Sequence, residues 1–139
     1  GPYGRPDMSL FKFTKSIYEN KKIELFNRGN HTRDFTYIQD LIEGIAICCT
    51  NEYSINETFN ITFGNARKIN DLLKIIESEF PGTEIEYNER DKLMPKRGTL
   101  SIDKAKKLLN FSPKTSIDTG YIKYIDWYKT FWREFGVWN

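Results

Sequence analysis

Arg5, Arg33 and Arg97 stand in loop-like stretches of this 139-residue sequence. A guanidinium is planar and permanently charged, and its fork donates two parallel hydrogen bonds to a phosphate or carboxylate. The sharpest case is HTRDFTYIQDLIEGI, residues 31–45, where Arg33 and Asp34 precede an aromatic and then an amphipathic stretch. A charge just upstream of a helix start is held by that start and can be aimed. Other reactive residue types offer less. His31 is the only histidine, and Cys48 and Cys49 are the only cysteines, which leaves no plausible zinc site. A bridge between adjacent cysteines is strained, so both are read as free, partly buried thiols, which suits a reducing cytoplasm.

The elements that must position these residues belong to one domain spanning 1–139. A hydrophobic fraction of 39% and an aromatic fraction of 15% fit a chain with a real core. Lys plus Arg total 21 against 19 Asp plus Glu, a net charge of +2, and the charges are interspersed. That argues against a dedicated nucleic-acid or membrane-surface binder. No apolar run approaches the roughly 18 residues of a spanning helix, and nothing at the start reads as a signal peptide. The chain opens without methionine in a Gly/Pro-rich loop, read either as a tag-cleavage remnant at Gly1-Pro2 or as the interior of a longer protein.

Spacing predicts a helix over 8–19, capped by Asp7, with Leu10, Phe13 and Ile17 on one face. A strand over 22–26 turns Ile23 and Leu25 one way and Glu24 and Phe26 the other, before a turn over 27–30. Thr36 and Gln39 have the spacing of a capping box, so a helix starts at Tyr37 and buries Ile38, Leu41, Ile42, Ile45, Ala46 and Cys49. A strand over 58–63 follows, then a helix carrying Ile69, Leu72, Leu73, Ile76 and Phe80 and stopped by Pro81-Gly82. Next come a strand over 83–87, a charged loop over 88–100 and a helix capped by Asp103 that runs through Leu109. The last helix starts after Ser116, and its aromatic face reads as core instead of as a ligand platform. The fold class is mixed α/β, helix-rich with short strands.

GPYGRPDM, LFKFTKSI, RDFTYIQDLIEGI, FNITFG, SIDKAKKLL and SIDTGYIKYIDWY occur here in sequence. In that order they resemble the back half of an extended short-chain dehydrogenase/reductase. The chain is similar to the NAD-dependent nucleotide-sugar epimerases and dehydratases, the UDP-glucuronate 4-epimerases in particular, over nearly its whole length. The resemblance implies the C-terminal part of a Rossmann-type fold without its main dinucleotide-binding half. No Gly-rich fingerprint follows a strand. Tyr18 and Lys22 have the spacing of the family's Tyr-x-x-x-Lys pair, but they lie after GPYGRPDM, where the family's pair lies well before it. NAD is thus expected in the parent enzyme, at a site outside this chain, and the chain alone is expected to be inactive. The implied partner is a UDP-sugar or other nucleotide sugar, and the implied parent is a cytoplasmic homodimer. A 4,6-dehydratase or decarboxylase, and a stand-alone nucleotide-binding domain without catalysis, remain as alternatives.

The resemblance also implies site residues. Arg33 corresponds to an arginine reaching the diphosphate, with Asp34 bracing the local backbone or Arg33 itself. Arg97 lies in a loop that often holds a second phosphate-binding arginine. Pro95-Lys96-Arg97-Gly98 departs from the commoner Pro-Gly-Asp there, so Lys96 or Arg90 can take its place. Phe26 resembles the aromatic beside the uracil ring, against a plain core role. Ser9 and Leu10 open the first helix, where free backbone N–H groups can meet the nucleotide. Arg5 offers a cation for a carboxylated sugar, or else stabilises its own turn. His31 reads as an exposed turn residue.

Overall fold

The computed structural model describes residues 1–89 and 97–136. Helix α5, Ile117–Phe135, is its spine. Ser116 caps it, its hydroxyl accepting from the Thr119 N–H at 3.3 Å. Tyr121, Tyr124, Ile125 and Tyr128, spaced three and four apart, are all buried against α1 (Ser9–Tyr18) and α3 (Ile69–Glu79). Rings continue the contact: Tyr18 meets Tyr128 at 5.2 Å and Phe80 at 5.9 Å, both edge to face. Such pairs add about 0.5–1.5 kcal/mol each beyond the area they bury. The aromatic face is core, as its spacing predicts.

Strand β1, Ile23–Phe26, slides beneath this layer with Ile23 and Leu25 buried and Glu24 and Phe26 exposed. It pairs in parallel with β4, Ile85–Asn88, in the register Ile23↔Ile85 and Leu25↔Tyr87. A second pair is antiparallel, β2 (Thr32–Arg33) with β3 (Arg67–Lys68), and sets Arg33 opposite Arg67. Between β1 and β2 the chain turns through Asn27, Arg28 and Gly29, all left-handed, with φ of +52°, +49° and +68°. A Cβ at Gly29 would come within 3.0 Å of the Asn70 nitrogen, so glycine is required there on both counts.

A smaller core lies apart, built from Ala105, Leu109 and Phe111, with Phe59, Ile61, Ile47 and Cys48 packed against it. It joins α4 (Asp103–Leu109) to α2 (Ile38–Thr50). Asp40, 2% exposed, fixes α2 in place. Its carboxylate accepts from the Lys114 and Thr115 N–H groups at 3.1 and 2.9 Å. At Gly44 a Cβ would stand 2.5 Å from the Ile61 Cγ2, so the helix approaches closely there because the side chain is absent.

Several expectations need correction. The face of α2 that was expected to be buried points outward: Ile38, Ile42 and Ile45 are 38, 50 and 52% exposed, and Ala46 and Cys49 are exposed too. The 3–4 spacing marks a helix, but Asp40 and Gly44 on the other side decide which face this chain covers. Cys49 is accordingly an exposed thiol, whereas Cys48 is partly covered, and both are free. Thr36 and Gln39 make no capping box; α2 starts at Ile38 with Tyr37 at its cap and no side-chain cap bond. Asp7 does not cap α1, because its carboxylate is taken by Arg5 at 3.0 Å, leaving Met8 at that position. Asp103 lies in the first turn of α4, and Ser101 Oγ accepts its N–H at 3.2 Å. Residues 58–63 form no strand, since no neighbouring strand offers them a ladder among the described residues. The remaining helices and strands lie where the spacing predicts, within a residue or two. No helix among the described residues is long and apolar enough to cross a membrane.

Burial pushes the Tyr121 and Tyr128 hydroxyls up to about 12, and the Tyr124 hydroxyl upward as well. A phenol that stays protonated when folded stabilises the fold fully below its unfolded value of 10. That contribution is lost as the pH rises from about 10 to about 12, on the order of 2–3 kcal/mol for Tyr121. Urea titrations at increasing pH should show the midpoint falling across that window and flat below it. At neutral pH, Ile125→Ala should cost about 2–5 kcal/mol in the same assay, and Ile45→Ala less than about 0.5 kcal/mol.

Candidate functional site

Arg33 ends β2 and its guanidinium donates to the Thr32 carbonyl at 2.7 Å. Its neighbour across the pair, Arg67, is neutralised twice, by Asp71 at 3.0 Å and Asp118 at 3.2 Å. No carboxylate among the described residues pairs with Arg33 or with Arg97. Partial burial, and then the positive charge of Arg97, lower the Arg33 pKa from its usual range. The same two arginines that the sequence singles out are therefore close enough to repel. Two like charges with no carboxylate partner among the described residues are the chemistry an anion could satisfy.

Residues 97–101 are stitched into place by their backbone and by one hydroxyl. The Thr32 hydroxyl donates to the Arg97 carbonyl, and Thr99 Oγ1 accepts the Ala66 N–H at 3.0 Å. The Asn60 amide donates to the Ser101 carbonyl at 3.0 Å. Asp34 supplies a further tie and links this segment to a third one. Its Oδ2 accepts from the Thr62 hydroxyl at 3.0 Å and the Leu100 N–H at 3.3 Å, while Oδ1 accepts from the Gly64 N–H at 3.1 Å. Asp34 was expected to brace the local backbone or Arg33; its hydrogen bonds go instead to two distant segments. Arg90 and Lys96, the expected substitutes for Arg97, lie outside the described residues.

Beside Arg33 opens a groove of about 800 Å³, lined by Ser9, Lys12, Ser16, Phe26, His31 and Arg33 among others. Phe26, 40% exposed at the end of β1, faces this groove instead of filling the core. Ser9 brings the start of α1 to the rim, where backbone N–H groups have no partner within the helix. Leu10 does not line the groove, and its side chain packs on the core. Arg5 does not line the groove; it is bound to Asp7 and stabilises its own turn.

His31 departs from the exposed turn residue that was expected. It is half-buried in the groove wall, and its Nδ1 is buried without a hydrogen-bond partner. Burial, then the charge of Arg33, hold its pKa below the usual value, so the imidazole is neutral at pH 7. Its place in the groove depends on the Ile69 N–H donating to its carbonyl at 3.0 Å. That contact spans 38 positions, and no local pattern announces it. Lys12 and Ser16 were also missed, although both sit four apart on the face of α1 turned from the core.

Comparison with known proteins bears directly on this geometry. Residues 1–62 match the model of the NAD dependent epimerase/dehydratase family. The UDP-glucuronate 4-epimerase of Thermodesulfobacterium geofontis is 42% identical over 132 residues, 93% of this chain and 40% of that protein. UDP-glucuronate 4-epimerase 4 of Arabidopsis thaliana is 32% identical over 95% of this chain and 34% of its own length. The crystal structure of UDP-glucuronic acid 4-epimerase from Bacillus cereus, in complex with UDP-glucuronic acid and NAD, superposes with a TM-score of 0.87 at 31% identity. That superposition covers 94% of this chain and 42% of the other. A dTDP-glucose 4,6-dehydratase from Bacillus anthracis, 22% identical with a TM-score of 0.86, shares the fold. The chain spans less than half the length of these relatives.

Removing the Asp34 carboxylate leaves three donors without their acceptor. Asp34→Ala should lower stability by about 2–4 kcal/mol, read from urea unfolding. It should also speed hydrogen exchange at the Gly64 and Leu100 amides, while amides in α5 keep their protection. Unchanged exchange at both positions would show that Asp34 does not hold the loop.

Proposed function

We propose, from the premise that this chain belongs to the NAD-dependent epimerase/dehydratase family, that it forms the nucleotide-sugar site of a UDP-sugar 4-epimerase. The observation that carries the reading is that the Thr32 hydroxyl holds the Arg97 backbone beside Arg33, and that no carboxylate among the described residues pairs with either arginine. A diphosphate relieves that repulsion and accepts both forks. The N–H groups at the start of α1, at Ser9 and Leu10, add partial positive charge toward the same anion. Phe26 offers an exposed ring face to the base, and the neutral His31 offers a ring nitrogen to a sugar or phosphate oxygen.

NAD, when bound to such an enzyme, supplies the hydride chemistry at the sugar C4. The residues of this chain do not fit a dinucleotide: no Gly-rich turn follows a strand, and no Tyr-x-x-x-Lys pair stands where the family places it. What this chain does is hold the substrate. Its groups fix the diphosphate and base, so the sugar projects in one orientation toward whatever reacts with it. The free thiols Cys48 and Cys49 go with a reducing, cytoplasmic setting, and a homodimeric parent goes with the same reading.

Calorimetric titration of the chain with UDP tests this. Binding is expected, and Arg33→Ala should weaken it by about tenfold to a hundredfold, as follows from a charge-assisted bond of about 1.5–3 kcal/mol. Added salt should weaken the wild-type chain more than the variant. Equal affinity in the two proteins would remove Arg33 from the site. Turnover of a UDP-sugar by the chain alone would contradict the division of labour.

A further inference from the structure

His31 is the only histidine of the chain, and it stands in the groove wall two residues before Arg33. The Ile69 N–H, donating to the His31 carbonyl, holds its backbone there. Water does not reach the ring's Nδ1, and no acceptor or donor meets it. An imidazolium carries two N–H donors, so a charged ring would leave one of them buried and unsatisfied. Protonation is disfavoured first by that burial and then by the charge of Arg33.

The remaining charged side chains of the groove come from three elements. Lys12, Lys15 and Glu19 stand on α1, with Asp7 just before it. Lys21, Lys22 and Glu24 belong to β1 and the chain entering it, and Glu86 is on β4. Helix α3 contributes the uncharged Ile69. Several of these charges are already paired: Asp7 with Arg5, Glu19 with Lys15 and Lys21, and Lys22 with Glu84. Lys12, Glu24 and Glu86 line the groove as well, yet the charge that acts on the imidazole is that of Arg33. Arg97 acts in turn on Arg33.

We propose that His31 is a proton-taking member of the anion site: a nucleotide sugar whose diphosphate settles on Arg33 draws a proton from solvent onto the imidazole. The ring then stands as a third positive charge beside the ligand. The inference rests on the nucleotide reading above and adds how that site responds to pH. A bound diphosphate cancels the charge that opposes protonation. By linkage, a ligand that raises the proton affinity of His31 is itself held more tightly by the protonated chain. Affinity therefore falls as the pH rises from the free to the bound pKa of His31, and is level on either side.

UDP-glucose is the probe, because its diphosphate is esterified at both ends and keeps its charge between about pH 5 and 8, whereas the terminal phosphate of UDP titrates there. With one histidine, the ring gives a single NMR signal to follow in the 139-residue chain, with and without saturating UDP-glucose. The midpoint should move upward with the ligand, and calorimetric Kd should rise about threefold to tenfold across that range. His31→Gln should bind with an affinity that does not vary across it. In Arg33→Ala the His31 midpoint should already lie higher without ligand. A midpoint that UDP-glucose leaves in place, or equal pH dependence in the wild type and His31→Gln, would overturn the proposal and leave the nucleotide reading standing. An unmoved midpoint in Arg33→Ala would overturn it too. Absence of UDP-glucose binding at every pH would overturn both.

Discussion

Asp34 accepts hydrogen bonds from Thr62, Gly64 and Leu100, and this one carboxylate holds three separate stretches of chain at a common point. The spacing between Arg33 and Arg97 follows from it. Arg33 precedes Asp34 directly, and the segment from Arg97 to Ser101 is tied down partly through Leu100. An isolated pair of like charges would drift apart on flexible side chains. Here the backbone beneath each charge is tied down, so the two charges stay within reach of each other. On the reading proposed above, the arrangement places the cost of the site in the fold and not in the encounter with a ligand.

The rest of the molecule divides the work between two cores. The larger one, around Tyr121, Ile125 and Tyr128, supports α1, β1 and α3 and hence the groove wall. The smaller one, around Leu109 and Phe111, supports α2 and the segment carrying Phe59 and Ile61. Asp34 and Asp40 each commit a carboxylate to backbone N–H groups from far along the chain. Both serve as fasteners, and neither touches a basic side chain in the bonds described.

Much of this was legible in the sequence because it is local. Tyr121, Tyr124 and Tyr128 announce a buried helix face by spacing, Ile23 and Leu25 announce a strand by alternation, and Pro81-Gly82 announces a stop. Arg33 was legible through its neighbours, since the short motif around it fixes its place before a helix. What stayed hidden is nonlocal. Nothing near His31 tells that a contact with Ile69 sets it into the groove wall. Nothing near residues 58–63 tells that their alternation lacks a strand to pair with. The apolar spacing of α2 was read correctly as a helix and wrongly as a statement about this chain's interior. Periodicity reports that a helix has an apolar side, not that this chain buries it.

The left-handed turn at Asn27, Arg28 and Gly29 limits how this sequence can drift. Three successive residues in that conformation admit glycine readily, asparagine and aspartate with little penalty, and β-branched side chains hardly at all. Gly29 is further confined by the Asn70 backbone beside it. A lineage that preserves the groove must therefore change this corner slowly, whatever it does at the exposed positions of α3 and α5. The turn joins the strand bearing Phe26 to the strand bearing Arg33, so a single intolerant corner couples the histories of two otherwise independent contacts.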